Sequence, residues 1–279
     1  MALASVLVAC AQARSAGGLG QGPGRIGHPT GPTQLVLRIK ATGGFVSPTV
    51  MATRLPDISL FGDGTMVTTG PVPEIYPGPA LPKLLARTLT EPGMQALLRA
   101  AAGAGLLGPD RSYRTMTISD MPTTVFTLVA EGRRHVVSVY GLGIAASPLV
   151  SAPERKARRA LLAFERGLFG LSSLLPKGSF YKERPFEPTA LSVFVRPYQA
   201  VADPNLSEPT TRWPLAGSLA TFGRPANDFS ASRCGMVRGT DATSVLELAK
   251  HANQLTPWSS GGREFALFFR PLLPDEHGC

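Results

Sequence analysis

TTVFTLVAEGRRHVVSVY, residues 123–140, decides the fold. Two runs rich in β-branched and aromatic residues, Thr123–Ala130 and Arg134–Tyr140, meet at Glu131-Gly132. Runs of that composition joined by a short Gly-containing break form a β-hairpin, because the turn needs left-handed backbone. A second hairpin is expected upstream, with arms Ile58–Phe61 and Thr65–Thr69 and Gly62-Asp63-Gly64 as its turn. Asp63 between two glycines serves turn chemistry there rather than metal binding. Ahead of it, residues 34–41 (QLVLRIKA) alternate Leu35, Leu37 and Ile39 with polar partners, the period of a half-buried strand.

Helical periodicity interrupts these strands. Thr90 is the expected N-cap of a helix with Pro92 in its first turn, Leu97, Leu98 and Ala101 on one face, and a stop at Gly108-Pro109. Residues 152–170 (APERKARRALLAFERGLFG) predict an amphipathic helix with Leu161, Leu162, Phe164 and Leu168 inward. Its Arg155, Lys156, Arg158, Arg159 and Arg166 are expected on the solvated face rather than in a binding patch. Pro71–Pro82 is an extended connection, and the pattern changes after Pro176. A strand bounded by Pro188 and Pro197 comes first, then a long Pro-, Gly- and Ser-rich connection to about Arg233. A helix over residues 238–255 follows, capped near Thr240 or Asp241 with Val245, Leu246 and Ala249 buried, and a last strand closes at Pro271.

Hairpins with intervening helices predict an α+β fold: a largely antiparallel sheet with helices packed on it and long Pro/Gly-rich connections. The globular region spans residues 34–279, either as one domain or as two lobes, 34–175 and 176–279. The helix-then-strand order of Thr240 to Arg270 loosely echoes the helix-then-hairpin of Thr90 to Tyr140.

With 279 residues, 43% hydrophobic content and a mean hydropathy of +0.08, the chain can bury a sizeable core and is not of the disordered class. No uninterrupted apolar run is long enough to cross a membrane as a helix. The formal charge is +9, yet the arginines are scattered from Arg14 to Arg270. The charge therefore reads as a solubility charge, and no nucleic-acid partner is expected.

The N-terminus carries the compartment signal. Ala2 to Ala9 form a short apolar run that ends in Leu7-Val8-Ala9-Cys10, with no basic residue before it. Residues 11–33 are rich in Gly and small polar residues without periodicity, so residues 10–33 are expected as a flexible tether. Gly22-Pro23-Gly24-Arg25-Ile26-Gly27 matches a dinucleotide-binding pattern, but no strand precedes it and prolines oppose a helix after it. No cofactor is inferred from it. Leu7 to Cys10 resembles the lipobox of bacterial lipoproteins, and the Ala-, Gly-, Pro- and Arg-heavy composition resembles that of actinobacteria. The resemblance implies that residues 1–9 are the remnant of a signal peptide and that Cys10 is lipidated. It implies a protein held outside the cytoplasm on the cell membrane by lipid, palmitate among its acyl chains. The alternative is an ordinary apolar N-terminus with Cys10 a free thiol. Under the lipoprotein reading Cys234 and Cys279 remain as a pair, and a disulfide between them suits an oxidising compartment. Under the alternative they are unpaired thiols in a reducing one.

Catalytic signals are sparse: there is no G-x-S-x-G elbow, H-E-x-x-H helix, C-x-x-C or P-loop. Four histidines (His28, His135, His251, His277) are scattered, and Asp275-Glu276-His277 are too close in sequence to surround one ion. No metal site is expected. Tyr76, Tyr181, Trp213 and Trp258 sit among Pro, Gly and Ser, and each Trp has an Arg nearby, Arg212 and Arg263. These four, Arg212, Trp213, Trp258 and Arg263, are the expected ligand-binding residues. The alternative is that each Trp covers the edge of a core. The expectation is a lipid-anchored protein that binds a cell-envelope glycan, peptide or protein without catalysis. A hydrolase acting on cell-wall or lipid material is the alternative.

Overall fold

The hairpins build two sheets rather than one. The computed structural model describes residues 24–71, 74–114, 118–144, 149–226 and 232–279. The first region contains β1 (Leu35–Gly43), α1 (Pro48–Thr53), β2 (Ile58–Phe61), β3 (Thr65–Thr69), β4 (Leu84–Thr88), α2 (Glu91–Gly103) and β5 (Arg111–Tyr113). It continues with β6 (Pro122–Ala130), β7 (Arg133–Tyr140), α3 (Ala152–Phe169), α4 (Leu171–Leu174) and β8 (Arg184–Pro185). The second contains β9 (Ala190–Pro197), β10 (Thr211–Arg212), β11 (Arg224–Pro225), β12 (Arg233–Arg238), α5 (Gly239–Ala249), β13 (Pro257–Ser260) and β14 (Arg263–Pro271), with a short 3₁₀ turn at Pro204–Leu206.

The α+β expectation holds. Sheet one runs β5-β7-β6-β1-β2-β3-β4-β8 and sheet two β10-β13-β14-β9-β12-β11. All pairings are antiparallel except β5 with β7 and β10 with β13. In the deciding hairpin Ala130 pairs with Arg133, and Glu131 and Gly132 both take positive φ, 52° and 69°, as a two-residue turn of matching twist requires. The chain leaves sheet one after β8, not at Pro176, because β8 pairs with β4.

Each sheet has its own helix-covered core. On sheet one, Leu37, Ile39, Leu60, Phe126, Leu128 and Val137 meet Leu97, Leu98, Leu161 and Phe164 of α2 and α3. On sheet two, Leu191, Val193, Val195 and Leu267 meet Val245 and Leu246 of α5. A third cluster joins Leu273, beyond β14, to Phe61, Val67 and Leu84 on the back of sheet one. Main-chain bonds knit the two parts further: Ala80 N–H donates to Ala252 O at 3.1 Å and Gln254 N–H to Gly78 O at 2.9 Å.

Two sequence expectations are corrected. Arg158 is buried rather than solvated: it donates to Glu154 (2.9 Å), Tyr140 O (2.8 Å) and Tyr113 O (3.2 Å), tying α3 to two strand ends. The tether expected over residues 10–33 is fastened along its last third. Arg25 and His28 both reach Glu91, and Ile26 exchanges two hydrogen bonds with Gln95 of α2. Gly27 and Glu131 bond reciprocally at the β6–β7 turn. This clasp sits at the end of β1 that carries Leu35. Gly43, α1 and the connection leaving β3 lie at the other end, about 30 Å away for a nine-residue strand.

Candidate functional site

Strand geometry turns one face of sheet two away from α5. Along β9, Leu191, Val193 and Val195 point to α5, so Ser192, Phe194 and Arg196 point the opposite way. On β14 the same alternation presents Ala266, Phe268 and Arg270, with Phe268 opposite Phe194 and Arg270 opposite Ser192. The short helix α1, capped by the Ser47 hydroxyl, lies over this face, and Arg196 Nη1 donates to Thr49 Oγ1 at 3.4 Å. The open face holds two basins, and α1 lines both.

The aromatic basin has a volume of about 480 Å³. Phe268, Tyr198 and Tyr76 supply its aromatic surface, Gln199 and Gln254 its amides, and Val50 and Thr53 the α1 side. The Arg196 guanidinium lies 5.6 Å above the Phe268 ring, a cation–π contact. Tyr76 is 67% exposed, as expected for an aromatic in the Pro-rich connection.

The charged basin is larger, about 750 Å³, and its lining includes Ser192, Phe194, Arg224, Arg270, Glu276 and His277. Cys234 and Cys279 form a disulfide in its wall, with Cα atoms 6.0 Å apart. Arg270 grips Glu276 through two bonds of 2.6 and 3.0 Å, and Arg38 on the back of sheet one holds Asp275 at 2.7 Å. Burial pushes the Glu276 carboxyl up, but hydrogen bonds from Arg270 and the Leu273 amide outweigh it and hold the group below its ordinary range. Lys40 is lowered by burial and then by the Arg270 charge, with Arg38 and Arg54 adding to it. The acidic tail is thus the counter-charge to a basic patch on sheet one.

The expected binding residues distribute differently. Trp213 and Trp258 are 4% and 1% exposed and belong to the second core, which corrects their reading as ligand-facing aromatics. They meet edge to face at 6.3 Å and continue to Phe222 and Phe269. The turn-rich segments around them fold over sheet two, so a Trp in loop sequence becomes a core residue. Arg212 is exposed and shares with Trp213 a separate hollow of about 530 Å³. Arg263 is exposed and lies over Phe265 at 5.7 Å. Cys10 lies outside the described residues.

Few groups are arranged for catalysis. Ser192 and His277 share the charged basin, but no hydrogen bond joins them, so the nucleophile–base link is not made there. Ser179 and Lys182 have S-x-x-K spacing, yet Ser179 is buried, Lys182 is exposed and no helix turn brings one over the other. Burial raises the Asp57 and Glu165 carboxyls, and Asp57 raises Glu165 further, but neither lines either basin. No cluster of metal-ligating residues occurs among the described residues. The aromatic basin was hidden from sequence reasoning because it draws on five separate segments. Tyr76 alone carried a readable signal, an aromatic among prolines.

No protein-family model matches the chain, and no curated protein or solved structure matches it. Function is therefore argued from its own side chains.

Proposed function

We propose that the protein is exported, anchored to the cell membrane by lipid at Cys10, and binds a ligand or protein partner of the cell envelope without catalysis. The Cys234–Cys279 disulfide carries this reading, since such bonds persist in oxidising compartments. No helix among the described residues is long and apolar enough to cross a membrane, so a lipid would supply the attachment. The clasp supports it as well, because it fixes Arg25–His28 at one end of β1 while the aromatic basin lies near the other.

Intact mass of the membrane fraction tests the proposal. Wild type carries a diacylglycerol-sized increment at Cys10, and Cys10→Ala loses it and moves to the soluble fraction. A full-length, unmodified protein with three free thiols would sink the reading.

A further inference from the structure

We infer that the aromatic basin is a binding site for a neutral saccharide, a stretch of envelope glycan. The inference deepens the binding role proposed above and rests on it for the ligand's source. A pyranose ring offers apolar C–H faces and a rim of hydroxyls. It is recognised by flat aromatic surface flanked by amide and hydroxyl groups, the usual mixture of apolar lining and a few placed polar groups. Tyr76, Tyr198 and Phe268 supply the surface. The Gln199 and Gln254 amides and both tyrosine hydroxyls have no hydrogen-bond partner among the described residues, so all four can turn to a ligand.

Charge and backbone narrow the class. Among the described residues lining the basin Arg196 is the one that is charged, and it is already engaged with Phe268 and Thr49. Among the described residues no carboxylate lines it to pair a cationic ligand, and the charged basin on the other side of α1 is the better place for an anion. A peptide captured by strand addition needs a free sheet edge. β9 and β14 are interior strands, and at the basin Ala266 is paired with Pro257 of β13 on one side and Arg196 of β9 on the other, so recognition there falls to side chains.

The test uses full-length protein carrying Cys10→Ala, titrated with four neutral tetrasaccharides: gluco-, manno-, galacto- and N-acetylglucosamine-configured. Saturation-transfer NMR detects binding and calorimetry measures it. At least one binds. Tyr76→Ala weakens that binding about tenfold, as loss of an aromatic contact does. Gln199→Ala and Gln254→Ala weaken it too, while Arg224→Ala in the charged basin leaves it unchanged. These four side chains are exposed, so the variants keep the parent's melting temperature, which is measured in parallel. Absence of binding by all four sugars overturns the inference. So does binding that Tyr76→Ala leaves intact, or an apolar peptide that binds at Tyr76 where the sugars do not. Lipidation is read separately by mass. A lipidated protein that binds no sugar removes this inference alone, and an unlipidated one that binds sugar removes the anchor alone.

Discussion

Glu276 and Glu165 are both partly buried glutamates, and their surroundings push them in opposite directions. Arg270 and the Leu273 amide hold the Glu276 carboxylate charged, whereas burial and Asp57 favour the neutral form of Glu165. Linkage gives the two opposite slopes with pH. The stability that Glu276 adds is present above the ordinary value of 4.5 and is lost as pH falls through its lowered folded value. Glu276→Gln should therefore cost about 2 kcal/mol at neutral pH, with the gap to wild type closing in acid. Glu165 contributes most below 4.5 and loses that contribution as pH rises through its raised folded value. Glu165→Gln should then stabilise at neutral pH and do nothing in acid. Urea unfolding across that range checks both, and parallel slopes would refute the assignment. None of this was legible in the sequence, where the tail segment PDEHG reads as a polar end. It becomes a buried ion pair only because β14 returns Arg270 to it. The tryptophans make the same point in reverse, since loop-like neighbours hid two core residues.

At the scale of elements, α2 shows how one substitution can have two signs. A Cβ on Gly93 would meet Ser179 O at 2.1 Å, and that carbonyl accepts from the Thr90 amide just ahead of the helix. Gly103, in the last turn, is exposed with nothing within 4 Å of a Cβ. Gly93→Ala should cost about 3 kcal/mol by overpacking, and Gly103→Ala should add about 0.5–1 kcal/mol through helix propensity. Denaturant midpoints that move the same way would contradict this account. The long elements were readable because their own residues specify them: alternation in β1, a β-branched and aromatic run ending at a Gly turn in β6, a Thr cap in α2, a wide apolar stripe in α3. The cap of α5 falls at Arg238, which makes no side-chain bond, rather than at the expected Thr240 or Asp241, and the helix starts at Gly239. What escaped were elements defined by their partners. β4 has five residues, β13 four, β5 three and β8, β10 and β11 two each, β12 is a six-residue run directly before a helix, and α4 is a single turn of four residues. The six-residue α1 escaped as well, and with it the basin that it lines.

On the scale of the whole molecule, the C-terminal tail ties the two sheets together. Leu273 enters the cluster behind sheet one, Asp275 and Glu276 meet arginines from both sheets, and the disulfide returns Cys279 to β12. Cys279→Ser should lower stability by about 3–4 kcal/mol, the scale expected for closing a loop of this length. Reductant should bring wild type to the same urea midpoint, and a wild type indifferent to reductant would show the bond to be unimportant. The passage from one sheet to the other falls after β8 rather than at the change of pattern near Pro176, because β8 is too short to signal that it returns to sheet one. The clasp at residues 25–31 has a last consequence, one of reach. Lipid at Cys10 would leave only residues 11–24 as a leash, and fourteen residues span at most about 50 Å however they are arranged. Such a leash bounds the height at which the protein can stand. The aromatic basin, a strand's length beyond the clasp, would then sample a shallow zone above the headgroups.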